Sequence, residues 1–152
     1  MTNHNLKHTT LVLERISSAS IERVFAGFAN PEERASWGRP SETTAFIYDK
    51  VDFREGGEDV FRCGDTKAIL NIGALRPITN IVPNERIISS KVVESKGRKL
   101  LISMSTTTFE PEGTGTSVTV TVQLASLAGE DMLNGAKFGH NVSLDNLVKA
   151  IQ

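Results

Sequence analysis

The sequence predicts an α+β domain: a curved antiparallel sheet of about seven strands, two short helices near the start, and one long C-terminal helix that encloses a cavity against the sheet. Three observations carry this reading. From residue 43 to residue 124, apolar and β-branched segments alternate with short turns rich in Gly, Pro and Asn. After residue 129 the pattern changes to helical periodicity. An uninterrupted antiparallel meander buries one face, and the only long element left to cover it is that helix.

The elements follow in order. Residues 1–8 are polar and are expected to form a flexible tail, leaving 9–152 as a single domain. TTLVLERI (9–16) reads as the first strand. Ser18 or Ser20 can cap a helix over IERVFAGFA, with Glu22 in its first turn. Asn30 caps a second helix, Pro31 occupies its first position, and Glu32 and Glu33 face its positive end. Gly38 and Pro40 stop it.

Six strands are expected next: TTAFIYDKVDF, EDVFRC, AILNIGALRPITNI, RIISSKVVE, KLLISMSTTTFE and TSVTVTVQL. Their dividers are Arg54–Gly57, Gly64–Lys67, Pro83–Glu85, Lys96-Gly97 and Pro111–Gly115. Pro77 inside the third of these implies an edge position or a bulge. Val118, Val120, Val122 and Leu124 alternate with polar residues, so that strand has one buried face and one wet face. The strand before it is less clear. Leu100, Ile102 and Met104 share one side; Leu101, Ser103, Ser105, Thr107 and Phe109 share the other.

In the final helix, Leu133, Ala136, His140, Leu144, Leu147 and Ile151 form one stripe at about 100° per residue. Gly135 and Gly139 each cost about 1 kcal/mol relative to alanine in a helix. Close approach to the sheet or to a second chain would account for them. Phe138 and Val142 fall on the nominally wet side, which suggests cover by a loop or by a second subunit and raises the expectation of a homodimer.

Bulk properties narrow the function. The chain has 152 residues, a formal net charge of −1 and 39% apolar residues, values ordinary for one globular domain. The basic run Lys96-Gly97-Arg98-Lys99 fits a solvated hairpin turn, so nucleic acid is not an expected partner. Cys63 is the single cysteine, which excludes an internal disulfide and suggests a reducing, cytoplasmic setting. The polar start lacks a secretory apolar segment, and no apolar run approaches the roughly 20 residues that span a bilayer. His4 and His8 sit in the expected tail and carry no metal-site spacing with other ligands, and no metal or cofactor is expected. There is no phosphate loop and no nucleophile elbow.

Five local patterns, in this order, resemble the START-like (helix-grip) superfamily, and within it the homologues of the heat-shock-protein-90 ATPase activator. They are FANPEERASW (Phe28 to Trp37), DFREGGEDVF (Asp52 to Phe61), IVPNERI (Ile81 to Ile87), TFEPEGTGTSVTVTV (Thr108 to Val122) and GHNVSLDNL (Gly139 to Leu147). The resemblance covers nearly the whole chain and implies the helix-grip fold. Two departures stand out. The family often has a tryptophan pair where this chain has Trp37 alone, and Gly-Trp where it has Gly139-His140. A bulky apolar wall thus becomes polar at His140.

The expected cavity wall comprises Trp37, Phe53, Phe61, Met104, Phe109, His140 and Leu144. His140 is the candidate polar anchor for a ligand, or an acid/base if the protein is an enzyme; a buried histidine satisfied by Tyr48, a threonine or backbone is the plainer alternative. Cys63 could act as a nucleophile beside His140, although a free cysteine is more often a small core residue. An empty apolar cavity of about 300 Å³ would cost about 7 kcal/mol, comparable with a domain's whole stability. The cavity is therefore expected to be small, wet or occupied. These readings lead to a binding or carrier module for a small hydrophobic or amphipathic molecule. A co-chaperone-like activator and a cyclase-, dehydratase- or hydrolase-type enzyme are the alternatives.

Overall fold

The computed structural model describes residues 5–39, 44–65 and 72–152. Seven strands and three helices follow the expected order: β1 (Lys7–Ser17), α1 (Ile21–Ala29), α2 (Pro31–Gly38), β2 (Thr44–Lys50), β3 (Glu58–Asp65), β4 (Ile72–Val82), β5 (Arg86–Ser95), β6 (Arg98–Glu112), β7 (Gly115–Ser126) and α3 (Glu130–Ala150). All strands pair antiparallel in one sheet of order β1-β7-β6-β5-β4-β3-β2. The sheet is open, with β1 and β2 as its edges. The strand β1 starts at Lys7, two residues before the expected start, and pairs His8 with Ala125. His4 and the turn around Thr66 lie outside the described residues.

Local chemistry sets the boundaries. Ser20 Oγ accepts the Arg23 amide at 3.2 Å and so caps α1. Asn30 Oδ1 accepts both the Glu32 and Glu33 amides and caps α2, with Pro31 at its first position. Lys96 and Gly97 both have positive φ, as a two-residue hairpin between right-twisted strands requires. Pro77 is not at a sheet edge. It faces Glu58 at the start of β3, and β4 slips register just beyond it, between Ile78 and Asn80.

The core lies between the inner sheet face and the helices. Val118, Val120, Val122 and Leu124 are buried along β7, as their alternation predicts. Leu133, Leu144 and Leu147 of α3, with Ile151 at its C-cap, pack with them. Near the C-terminal end of α3, Gly27 lets α1 approach closely: a Cβ there would sit 3.4 Å from Leu147 Cδ1. Arg15 of β1 ties the other flank, donating to Asp145 at 2.8 Å and Asn141 at 3.0 Å. By contrast, a Cβ on Gly135 or Gly139 would meet no atom of the described residues within 4 Å. Packing among the described residues does not explain either glycine. Phe138 beside them is 64% exposed.

Candidate functional site

Between the β2–β5 half of the sheet, α2 and the middle of α3 lies a cavity of about 290 Å³. Its apolar wall draws on four elements. Helix α2 contributes Trp37, fixed because its indole N–H donates to the Gly27 carbonyl at 3.0 Å and its ring meets Phe28 edge-on at 5.1 Å. Strands β2 and β3 contribute Phe46 and Phe61, stacked with centroids 4.6 Å apart. Helix α3 contributes Leu144. The side chains of α3 also anchor the end of α2: Ser143 donates to the Gly38 carbonyl and Asn146 to the Arg39 carbonyl, both at 3.2 Å.

Of the residues singled out in the sequence, Trp37, Phe53, Phe61, His140 and Leu144 line this cavity. Two expected residues do not. Met104 is 46% exposed, on the outer side of β6 with Ile102. Alternation places Ser103, Ser105 and Thr107 inward instead, and Ser105 and Thr107 line the cavity. Phe109 is buried, but its ring is enclosed by Phe25 at 5.5 Å and Phe28 at 5.3 Å, so it is core rather than cavity wall.

The row Ser103, Ser105 and Thr107, with His140, hints in the sequence at a partly polar interior; the charged part of the wall was not visible in the apolar patterns. Asp59 of β3 is fully buried and accepts from Arg34 Nη1 of α2 at 2.7 Å. Arg76 of β4 also donates to Asp59 Oδ2, through Nε at 3.1 Å and through Nη2. The Asp52 amide completes the set on Oδ1 at 3.3 Å. Burial raises the Asp59 carboxyl above its ordinary range and Arg34 opposes this. With two guanidiniums bonded to it, the carboxylate remains ionised at neutral pH. The Arg34 guanidinium lies over the Tyr48 ring at 4.9 Å and the Phe53 ring at 5.7 Å, and its Nε and Nη2 have no hydrogen-bond acceptor among the described residues. Tyr48 is itself pushed up to about 12, chiefly by burial, so its phenol stays protonated.

Next in the same row is Lys91 of β5. Asp59 faces Arg76 across β3–β4, the flanking pair Leu75–Val92 sets Arg76 beside Lys91, and Lys91 faces Ser103 across β5–β6. Lys91 lines the cavity, and burial pulls its pKa down. His140, on α3, is driven down to about 3 by burial and then by Lys91, so it is neutral at physiological pH. Burial raises the Cys63 thiol, with Lys91 opposing, so Cys63 is no ready thiolate. A histidine with so low a pKa is also poorly matched to general acid–base work near neutrality.

A sequence signal for this row does exist. Asp59 shares strand parity with the buried Phe61, and Lys91 shares it with Ile87, Ser89 and Val93, all of which line the cavity. Charged residues on the inward side of a strand mark the site; the apolar stripes alone do not. Among the described residues no group of His, Cys, Asp and Glu side chains is arranged to hold a metal ion. No helix there is long and apolar enough to cross a membrane.

An open seven-stranded sheet gripping a long C-terminal helix over a cavity defines the START-like superfamily. Within it, this chain belongs to the family described as Activator of Hsp90 ATPase homolog 1-like protein, whose sequence model matches residues 18–152. Similar solved structures include an uncharacterized protein from Rhizobium leguminosarum, 33% identical, with a TM-score of 0.80 over 95% of this chain and 94% of that one. A protein from Rhizobium loti is 28% identical, with a TM-score of 0.79 over 96% and 99% of the two chains. One from Chromobacterium violaceum, 24% identical, has a TM-score of 0.80 over 93% and 96% and shares the fold. Among curated proteins, none matches.

Proposed function

We propose that the protein is a binding or carrier module for a small amphipathic molecule held between the sheet and α3. The observation that carries this reading is the cavity itself: about 290 Å³, lined by the apolar Trp37, Phe46, Phe61 and Leu144 and by the polar Lys91, His140, Ser105 and Thr107. At roughly 24 cal/mol per Å³, a dry void of that size would cost about 7 kcal/mol. The cavity is partly open, so water or a ligand fills it, and a ligand that binds the native state stabilises it. Polar side chains stand beside aromatic rings in this wall, which suits an amphipathic ligand better than a pure hydrocarbon.

The neutral His140 serves here as a hydrogen-bonding anchor rather than a proton shuttle, which weighs against an enzyme built on it. No feature of this cavity favours the ATPase-activator reading that the family description suggests. Native mass spectrometry of the purified chain, followed by denaturing extraction, tests the proposal. A co-purifying molecule at about one per chain supports it. A clean apo mass, together with no stabilisation by aromatic or aliphatic probes of matching size, contradicts it.

A further inference from the structure

The charges of the cavity go beyond what a generic amphipathic pocket requires. Three cationic side chains, Arg34, Arg76 and Lys91, line it, and among the described residues no carboxylate does. Asp59 lies behind the wall and is shared by the two arginines. Lys91 forms no ion pair among the described residues. The groups facing it are Arg76 and Cys63 from the sheet and His140 from α3, none of them anionic in this setting. A half-buried ammonium with no carboxylate partner among the described residues is costly to hold in the ligand-free fold. Hydroxyls of Ser89, Ser105 and Thr107 line the same cavity and can share an oxyanion.

We propose that the cavity takes an organic monoanion, a compact aromatic or aliphatic body with one carboxylate head, and that Lys91 is the counter-ion of that head. This rests on the small-molecule reading above and names the ligand class. The body lies against Trp37, Phe46, Phe61 and Leu144. The head supplies the negative charge that the strand row lacks and accepts from Lys91 and the neighbouring hydroxyls. A neutral isostere fills the same space but leaves Lys91 desolvated and unpaired, so it binds more weakly. Because burial without a partner draws protons off Lys91, an ionised ligand also favours its protonated form.

Isothermal titration of the full chain with 2-naphthoate and its neutral isostere 2-naphthamide tests this, at mildly acidic pH where the carboxylate is ionised. The expected result is a preference of about tenfold or more for naphthoate, the size of one desolvated charge-assisted contact. In Lys91→Met the preference should collapse to near unity while the amide still binds. If that variant does not fold, Lys91→Gln serves in its place. Equal or tighter binding of the amide by the parent chain overturns the anion proposal and leaves the small-molecule reading standing. A preference retained without the lysine overturns Lys91 as counter-ion. Binding of neither probe counts against the small-molecule reading itself, and the anion proposal falls with it.

Discussion

Arg34 and Asp59 meet where α2 crosses β3, with Nη1 2.7 Å from Oδ2 and side-chain exposures of 3% and 0%. Arg76 bonds the same oxygen from β4, so one carboxylate ties a helix and two strands together. Removing the shared partner should therefore cost more than removing either cation. Asp59→Asn leaves two guanidiniums without a counter-charge and is expected to lose about 3–5 kcal/mol, as breaking a buried pair does. Arg34→Met leaves Asp59 paired with Arg76 and should lose less, about 1–3 kcal/mol. Urea denaturation of both variants checks the order.

Lys91 should behave in the opposite way. Replacing a half-buried ammonium that has no ion-pair partner among the described residues by an apolar side chain of similar length is expected to stabilise the ligand-free protein, by about 1–3 kcal/mol. In a domain of this size that raises the melting temperature by roughly 2–4 °C per kcal/mol. Calorimetry of Lys91→Met without ligand reads it directly. A melting point lower than the parent's would mean that Lys91 already has a stabilising partner in the folded chain.

His140 should make stability depend on pH in a defined window. Its folded-state pKa is about 3, below the ordinary 6.5. As pH falls from about 6.5 toward 3, the unfolded chain takes up a proton that the folded chain refuses. Stability contributed by the neutral imidazole is therefore complete above about pH 7 and declines below it, by up to about 1.4 kcal/mol per pH unit. The raised Asp59 carboxyl acts in the opposite sense at the acidic end. The comparison is thus made against His140→Gln, which keeps Asp59 and should lack the histidine's slope.

Gly135 and Gly139 have open space where a Cβ would stand. Within a single chain, Gly135→Ala and Gly139→Ala are each expected to stabilise α3 by roughly 0.5–1 kcal/mol, the ordinary helix-propensity gain. Chemical denaturation measures this. Destabilisation that depends on protein concentration would instead assign the glycines to a contact between two chains, with Phe138 beside it.

Much of the architecture was legible because it depends on short-range chemistry. Ser20, Asn30 and Pro31 mark helix starts by hydrogen-bonding geometry alone, and Lys96-Gly97 marks a hairpin by its backbone conformation. The inner face of β7 followed from strict alternation. For β6, both sides carry apolar residues, so parity alone did not decide between Met104 and Ser105; the neighbouring strands and the covering helix did. Phe109 was recognised as inward but not as core, because the α1 rings that enclose it come from a distant part of the chain. The Asp59–Arg76–Lys91 row was harder still. It exists only through the register of three strands, and the guanidinium that completes it comes from α2.

Trp37 is the chain's one tryptophan and lies in the cavity wall, so its indole N–H is a single reporter of the site. The most direct test is a two-dimensional ¹H–¹⁵N spectrum of the full chain titrated with 2-naphthoate. The predicted result is a saturable shift of the Trp37 indole signal together with the amides of Ser89, Lys91, Ser105, His140 and Ser143. Shifts confined to outward-facing residues such as Val12, Met104 and Phe138, or no shift at all, would contradict the claim that this cavity is where the protein holds its ligand.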